Sequence, residues 1–128
     1  LFMLDALTEA ADSFLRRHQP TLLVSDFAGA ELASVVARRV RIGELSVDEA
    51  RSVFANFDAW TARLGARVET GAADIAAAAT FVRRLDLTLR TPDALHIAMA
   101  QRLGAELLAF DVKMAMSARA LGVPVSSV

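Results

Sequence analysis

A three-layer α/β/α sandwich with a central parallel sheet is the fold class predicted for this chain, and three observations predict it. Short apolar runs with strand character alternate with helical stretches along the whole length, the order that builds parallel sheets covered by helices. The 128 residues are 55% hydrophobic and 23% charged, a single-domain length able to bury a core. No Pro/Gly/Ser-rich linker, repeat or low-complexity tract divides them, so residues 1–128 are read as one domain.

Each element has its own signal. Thr8–His18 reads as a helix, and Thr21–Ser25 as a short buried strand entered from Pro20. Phe27–Ile42 is the next helix, ended by Gly43. Ser46 at N-cap and Glu49 at N3 make a capping box for a helix that runs to Leu64 before Gly65. Arg67–Glu69 is a second strand, and Ala72–Leu85 an alanine-rich helix. Thr91 as N-cap, Pro92 at N1 and Asp93 at N2 open the helix that Gly104 stops. A short apolar strand then runs through Leu107-Leu108-Ala109-Phe110 to Asp111. Ala115–Leu121 is a short helix stopped by Gly122, and Val123-Pro124-Val125 a last edge strand, where proline is tolerated. Doubly wound sheets place a central strand near the N-terminus, whereas this chain enters a helix soon after Leu1. A first strand is therefore expected to be missing, leaving the domain N-terminally incomplete.

Composition narrows the chemistry. Without cysteine there is no disulfide, thiolate metal site or cysteine nucleophile, and the two histidines, His18 and His96, lie far apart in sequence. A metal site must then use carboxylates, which suits Mg²⁺ or Mn²⁺. A net charge of −1 argues against a wholly basic nucleic-acid binder and leaves room for a local basic patch. No apolar run approaches the ~18 residues that span a membrane, and no signal peptide is visible, so a cytoplasmic protein is expected.

Three carboxylates stand out. Asp93 opens a helix and Asp111 follows a strand end, the place where α/β sheets put ligand sites. Singly, each is also explained as a helix cap. The direction of Asp93 counts against that: Leu95, His96, Ile97, Met99, Ala100 and Leu103 form the apolar arc of its helix, Asp93 falls inside the arc, and Ala94, Ala98, Gln101 and Arg102 take the other side. An inward aspartate needs a partner, because unpaired buried charge is costly. Glu31 falls on the edge of the apolar face made by Phe27, Ala28, Leu32, Val35 and Val36, where the plain alternative is snorkelling or a pair with Arg38 or Arg39. Three inward carboxylates in one cleft would repel one another unless a divalent cation neutralised them.

Glu31 in Ser-Asp-Phe-Ala-Gly-Ala-Glu-Leu-Ala, Asp93 in Thr-Pro-Asp-Ala-Leu-His-Ile-Ala and Asp111 after Leu-Leu-Ala-Phe resemble the second, third and fourth acidic positions of PIN-domain ribonucleases, in particular VapC-type toxins of bacterial toxin–antitoxin pairs. The resemblance covers almost the whole chain, and Asp-Ala-Leu-His-Ile-Ala is its most specific part. It implies a metal-dependent endoribonuclease in which Asp93, Asp111 and Glu31 hold Mg²⁺ or Mn²⁺, with no protein nucleophile. It also implies an RNA substrate, a homodimer and an antitoxin partner whose C-terminal segment occupies the cleft. The family's first acidic residue, at the end of its first strand, has no clear counterpart; Asp5 after Phe-Met-Leu is the alternative to an aspartate before Leu1. Ala109 stands where relatives often carry a hydroxyl.

Other residues have plainer readings. His96 is assigned to packing; Arg38, Arg39, Arg41 and Lys113 are candidate phosphate contacts, and Arg16-Arg17 and Arg83-Arg84 solvated helix faces. Phe54, Phe57 and Trp60 sit at helical spacing as packing residues or, where exposed, a dimer or antitoxin surface. The rival function is a catalytically inactive PIN-like module that binds protein or RNA. A phosphate-handling α/β domain is weaker, because no glycine-rich phosphate loop is present.

Overall fold

The computed structural model describes residues 23–64, 67–109 and 111–127. Asp5 and the helix expected over Thr8–His18 lie outside them. The described residues are mostly helical, with short parallel strands. They run β1 (Val24–Ser25), α1 (Asp26–Arg41), α2 (Val47–Leu64), β2 (Arg67–Val68), α3 (Ala72–Val82), α4 (Thr91–Leu103), β3 (Leu107–Ala109), α5 (Val112–Ala120) and β4 (Val125–Ser127). They fall into two compact units, one holding the described residues up to Thr70 and the other those from Gly71 onward. β1 and β2 pair in parallel, Val24 opposite Arg67 and Ser25 opposite Val68. β3 and β4 pair in parallel in the second unit, Leu107 opposite Val125 and Ala109 opposite Ser127.

In the first unit the helix signals act as expected. Ser25 caps α1, its Oγ accepting the Ala28 N–H at 3.0 Å. Arg38, Arg39 and Arg41 fill its last turn, where the helix dipole favours cations. After α1, Gly43 takes a φ of 79°, a left-handed value that needs glycine. Before α2 the capping box is complete: the Glu49 N–H donates to Ser46 Oγ, and the Ser46 N–H donates to Glu49 Oε1, both at 3.0 Å. Leu32, Val36, Ala50 and Val68 are the buried apolar residues here.

In the second unit α3 and α4 pack chiefly against each other. Ile97, Ala100, Ala118 and Val123 form a buried cluster, with Phe81, Leu89, Leu107 and Met114 against it. Ala94 and Ala98, expected on the outer side of their helix, are 0% and 3% exposed. Alanine carries too little hydrophobic contrast to set the phase of a helical face, so packing on nearly all sides of α4 decided it. Three boundaries also move. The helix expected to reach Leu85 stops at Val82, and Leu85 is 92% exposed. The short helix expected from Ala115 begins at Val112 because Asp111 caps it, and the last strand is Val125–Ser127, with Pro124 contributing its carbonyl to the Leu107 N–H at 2.9 Å. No helix among the described residues is long and apolar enough to cross a membrane.

Candidate functional site

Asp93 lies in the first turn of α4, one position later than expected. The N-cap is Arg90, in extended backbone with no side-chain cap bond, so Thr91 and Pro92 are the first helical residues. Proline tolerates either early position because the first helical N–H groups lack acceptors within the helix. The Asp93 side chain is 23% exposed, the partial burial its place on the Ile97 arc predicts. Arg90 Nε lies 4.0 Å from Asp93 Oδ2, at the outer limit of an ion pair, and the arginine is 84% exposed. A pair so long and so wet contributes little to stability, about 0–1 kcal/mol at most.

Asp111 follows β3 and caps α5, and it is exposed rather than turned inward as expected. Its Oδ1 accepts the Lys113 N–H at 2.8 Å, so the cap reading holds for this residue. One cap bond uses one lone pair, and a carboxylate has further lone pairs for a hard cation. Glu31 belongs to the other unit, half-buried on α1 with Leu32 and Val36 buried beside it in sequence. Among the described residues no group of three or more His, Asp or Glu side chains is gathered closely enough to hold a metal ion. The donor chemistry nevertheless fits: all-oxygen ligands suit Mg²⁺, which is ordinarily held by one or two carboxylates with water and substrate phosphate.

Asp74 and Arg102 have structural work. Asp74 is 1% exposed and joins the two long helices of its unit. Arg102 donates to it twice, Nε to Oδ1 at 2.8 Å and Nη2 to Oδ2 at 2.9 Å, and the Gly71 N–H donates to Oδ2 at 2.8 Å. The Arg102 bonds hold the carboxyl below the usual carboxylate range against the opposing effect of burial, with the Gly71 bond adding to them. Arg102, placed on the outer side of its helix from sequence, is thus the clamp between α3 and α4. Arg83 and Arg84 are exposed as expected, and Arg84 pairs with Asp86 at 2.9 Å.

Sequence reasoning passed over Asp26, which obeys the rule used for Asp111: it directly follows a strand. Its Oδ1 accepts the Thr70 hydroxyl at 2.6 Å, the Thr70 N–H at 3.0 Å and the Phe27 N–H at 2.7 Å. The Thr70 hydroxyl bond comes first in holding this carboxyl below its ordinary value. A cavity of about 520 Å³ opens beside it, lined by Ser25, Asp26, Phe54, Phe57, Asp58 and Arg67 among others. Phe54, Phe57 and Trp60 are half-buried, the last two tilted at 44° with centroids 6.3 Å apart, so packing accounts for them.

No match is found among curated proteins. The PIN-domain family model, by contrast, matches residues 3–119, through both units and across Glu31, Asp93 and Asp111. The family is one of typically metal-dependent nucleases that usually use a divalent ion and act on nucleic acid. With nearly its whole length matched, this chain belongs to the PIN-domain family.

Proposed function

We propose that the protein is a metal-dependent endoribonuclease, the toxin component of a type II toxin–antitoxin pair acting in the cytoplasm. The family match across residues 3–119 carries this proposal, and the VapC-like motif around Asp93 narrows it to RNA. Asp93 and Asp111 are assigned as ligands of Mg²⁺ or Mn²⁺, and Glu31 as a ligand directly or through water. Such an ion supplies Lewis-acid polarisation of a phosphodiester and a more acidic bound water. The chain contributes the negative charge that retains the ion, and α4 fixes the Asp93 carboxylate at a half-buried position. The reading also carries a homodimer and an antitoxin that covers the site, in a single three-layer domain.

The test is cleavage of RNA oligonucleotides by the wild-type chain and Asp93→Asn, with Mg²⁺, Mn²⁺ or EDTA. Wild-type cleavage that needs metal and falls at least about 100-fold in the variant is expected, because a ligand amide binds a hard cation far more weakly than a carboxylate. Equal cleavage by both proteins would overturn the assignment. The absence, among the described residues, of three or more acidic or histidine side chains gathered closely enough for a metal favours one rival, a PIN-like module that binds RNA or protein without cutting. Metal-independent RNA binding with no cleavage would establish it.

A further inference from the structure

We infer that Arg90 is a backbone contact for the RNA phosphates beside the Asp93 carboxylate. This rests on the nuclease reading above. Arg90 stands at the N-cap of α4, a position that ordinarily takes Ser, Thr, Asp or Asn, and it makes no side-chain cap bond. A cation there opposes the helix dipole. The one contact described for its guanidinium is the 4.0 Å approach to Asp93, and 84% of the side chain faces water. Helix stability therefore gives no reason for arginine at this position.

The same pattern recurs at α5. Asp111 caps that helix, and Lys113, in its first turn, is exposed and opposes the dipole in the same way. Each acidic residue assigned to metal in this unit thus has an exposed cation within three residues, at a helix start where cations are disfavoured. Asp93 is too distant to neutralise Arg90 strongly, so the guanidinium can make a bidentate bond to a phosphate. Asp93 and Arg90 serve different partners: an ion for the first, the phosphate chain flanking the cut bond for the second.

Arg90→Ala and Arg90→Lys, made in the full chain, test this with labelled single-stranded RNA. Binding is followed over a KCl series with Ca²⁺ replacing Mg²⁺, and cleavage is followed with Mg²⁺. Arg90→Ala should weaken binding about 10-fold, reduce the slope of log K against log salt by about 0.7, and raise KM with kcat changed less than about threefold. Arg90→Lys should restore the salt slope, and neither change should lower the melting temperature. Unchanged binding and slope in Arg90→Ala, while the wild type cleaves RNA, would overturn this inference and spare the nuclease. Arg90-dependent binding without cleavage by any form would keep the contact and remove the nuclease. A wild type that neither binds nor cuts RNA would remove both.

Discussion

Asp74 and Arg102 form an unequal pair: the carboxylate is 1% exposed and the guanidinium side chain 41%. Removing the acid frees a cation that can turn to water, whereas removing the base strands a buried charge with the Gly71 N–H as its remaining bond. Asp74→Asn should therefore cost about 1.5–3 kcal/mol, the scale of hydrogen bonds to a charged group. Arg102→Met should lower the melting temperature further. The two also differ in sign with pH. Without Arg102 the buried Asp74 carboxyl titrates above its unfolded value, so Arg102→Met gains stability relative to wild type as pH falls from 7 to 4. Thermal melts at both pH values check this, and a larger loss in Asp74→Asn would count against the clamp. At this scale the sequence was informative where backbone geometry decides the role: Asp111 follows an apolar strand and precedes a helix. It was silent on Arg102, because a pair 28 positions apart is set by how two helices pack.

At the scale of elements, stop signals were more legible than faces. Gly43, Gly104 and Gly122 all take positive φ and follow helices as expected, because a left-handed residue is a local demand that glycine alone meets cheaply. Ser46 and Glu49 were equally legible, their bonds spanning three residues. The face of α4 was not: Ala94 and Ala98 are buried through packing against segments distant in sequence. Gly104 gives the element-scale test. Its φ is 61°, and a Cβ built there meets nothing within 4 Å, so Gly104→Ala adds backbone strain without a clash. A loss of about 1 kcal/mol by urea unfolding is expected, with an unchanged m-value. Neutral or stabilising substitution would show that α4 does not end in this left-handed cap.

Over the whole molecule, charge rather than core size sets the response to acid. Asp26 and Glu49 in the first unit and Asp74 and Asp86 in the second all have carboxyls held below their ordinary values, each by hydrogen bonds to its charged form. A group whose folded pKa is depressed stabilises the native state above its unfolded pKa, near 4, and loses that contribution as pH falls through the folded value. The exposed three titrate in water that screens their bonds, so they contribute weakly. Asp74 is the buried one, and its protonation would replace the charge-assisted pair of Arg102 bonds with at most a neutral one and so weaken the clamp of α3 on α4. Stability should accordingly be flat from pH 7 to about 5 and fall below about 4, with Asp74→Asn less stable at pH 7 but shallower in its acid decline. Helical circular dichroism melts between about pH 2.5 and 7 measure both slopes. Parallel declines in the two proteins would assign the acid sensitivity to the exposed carboxylates and remove Asp74 as its source.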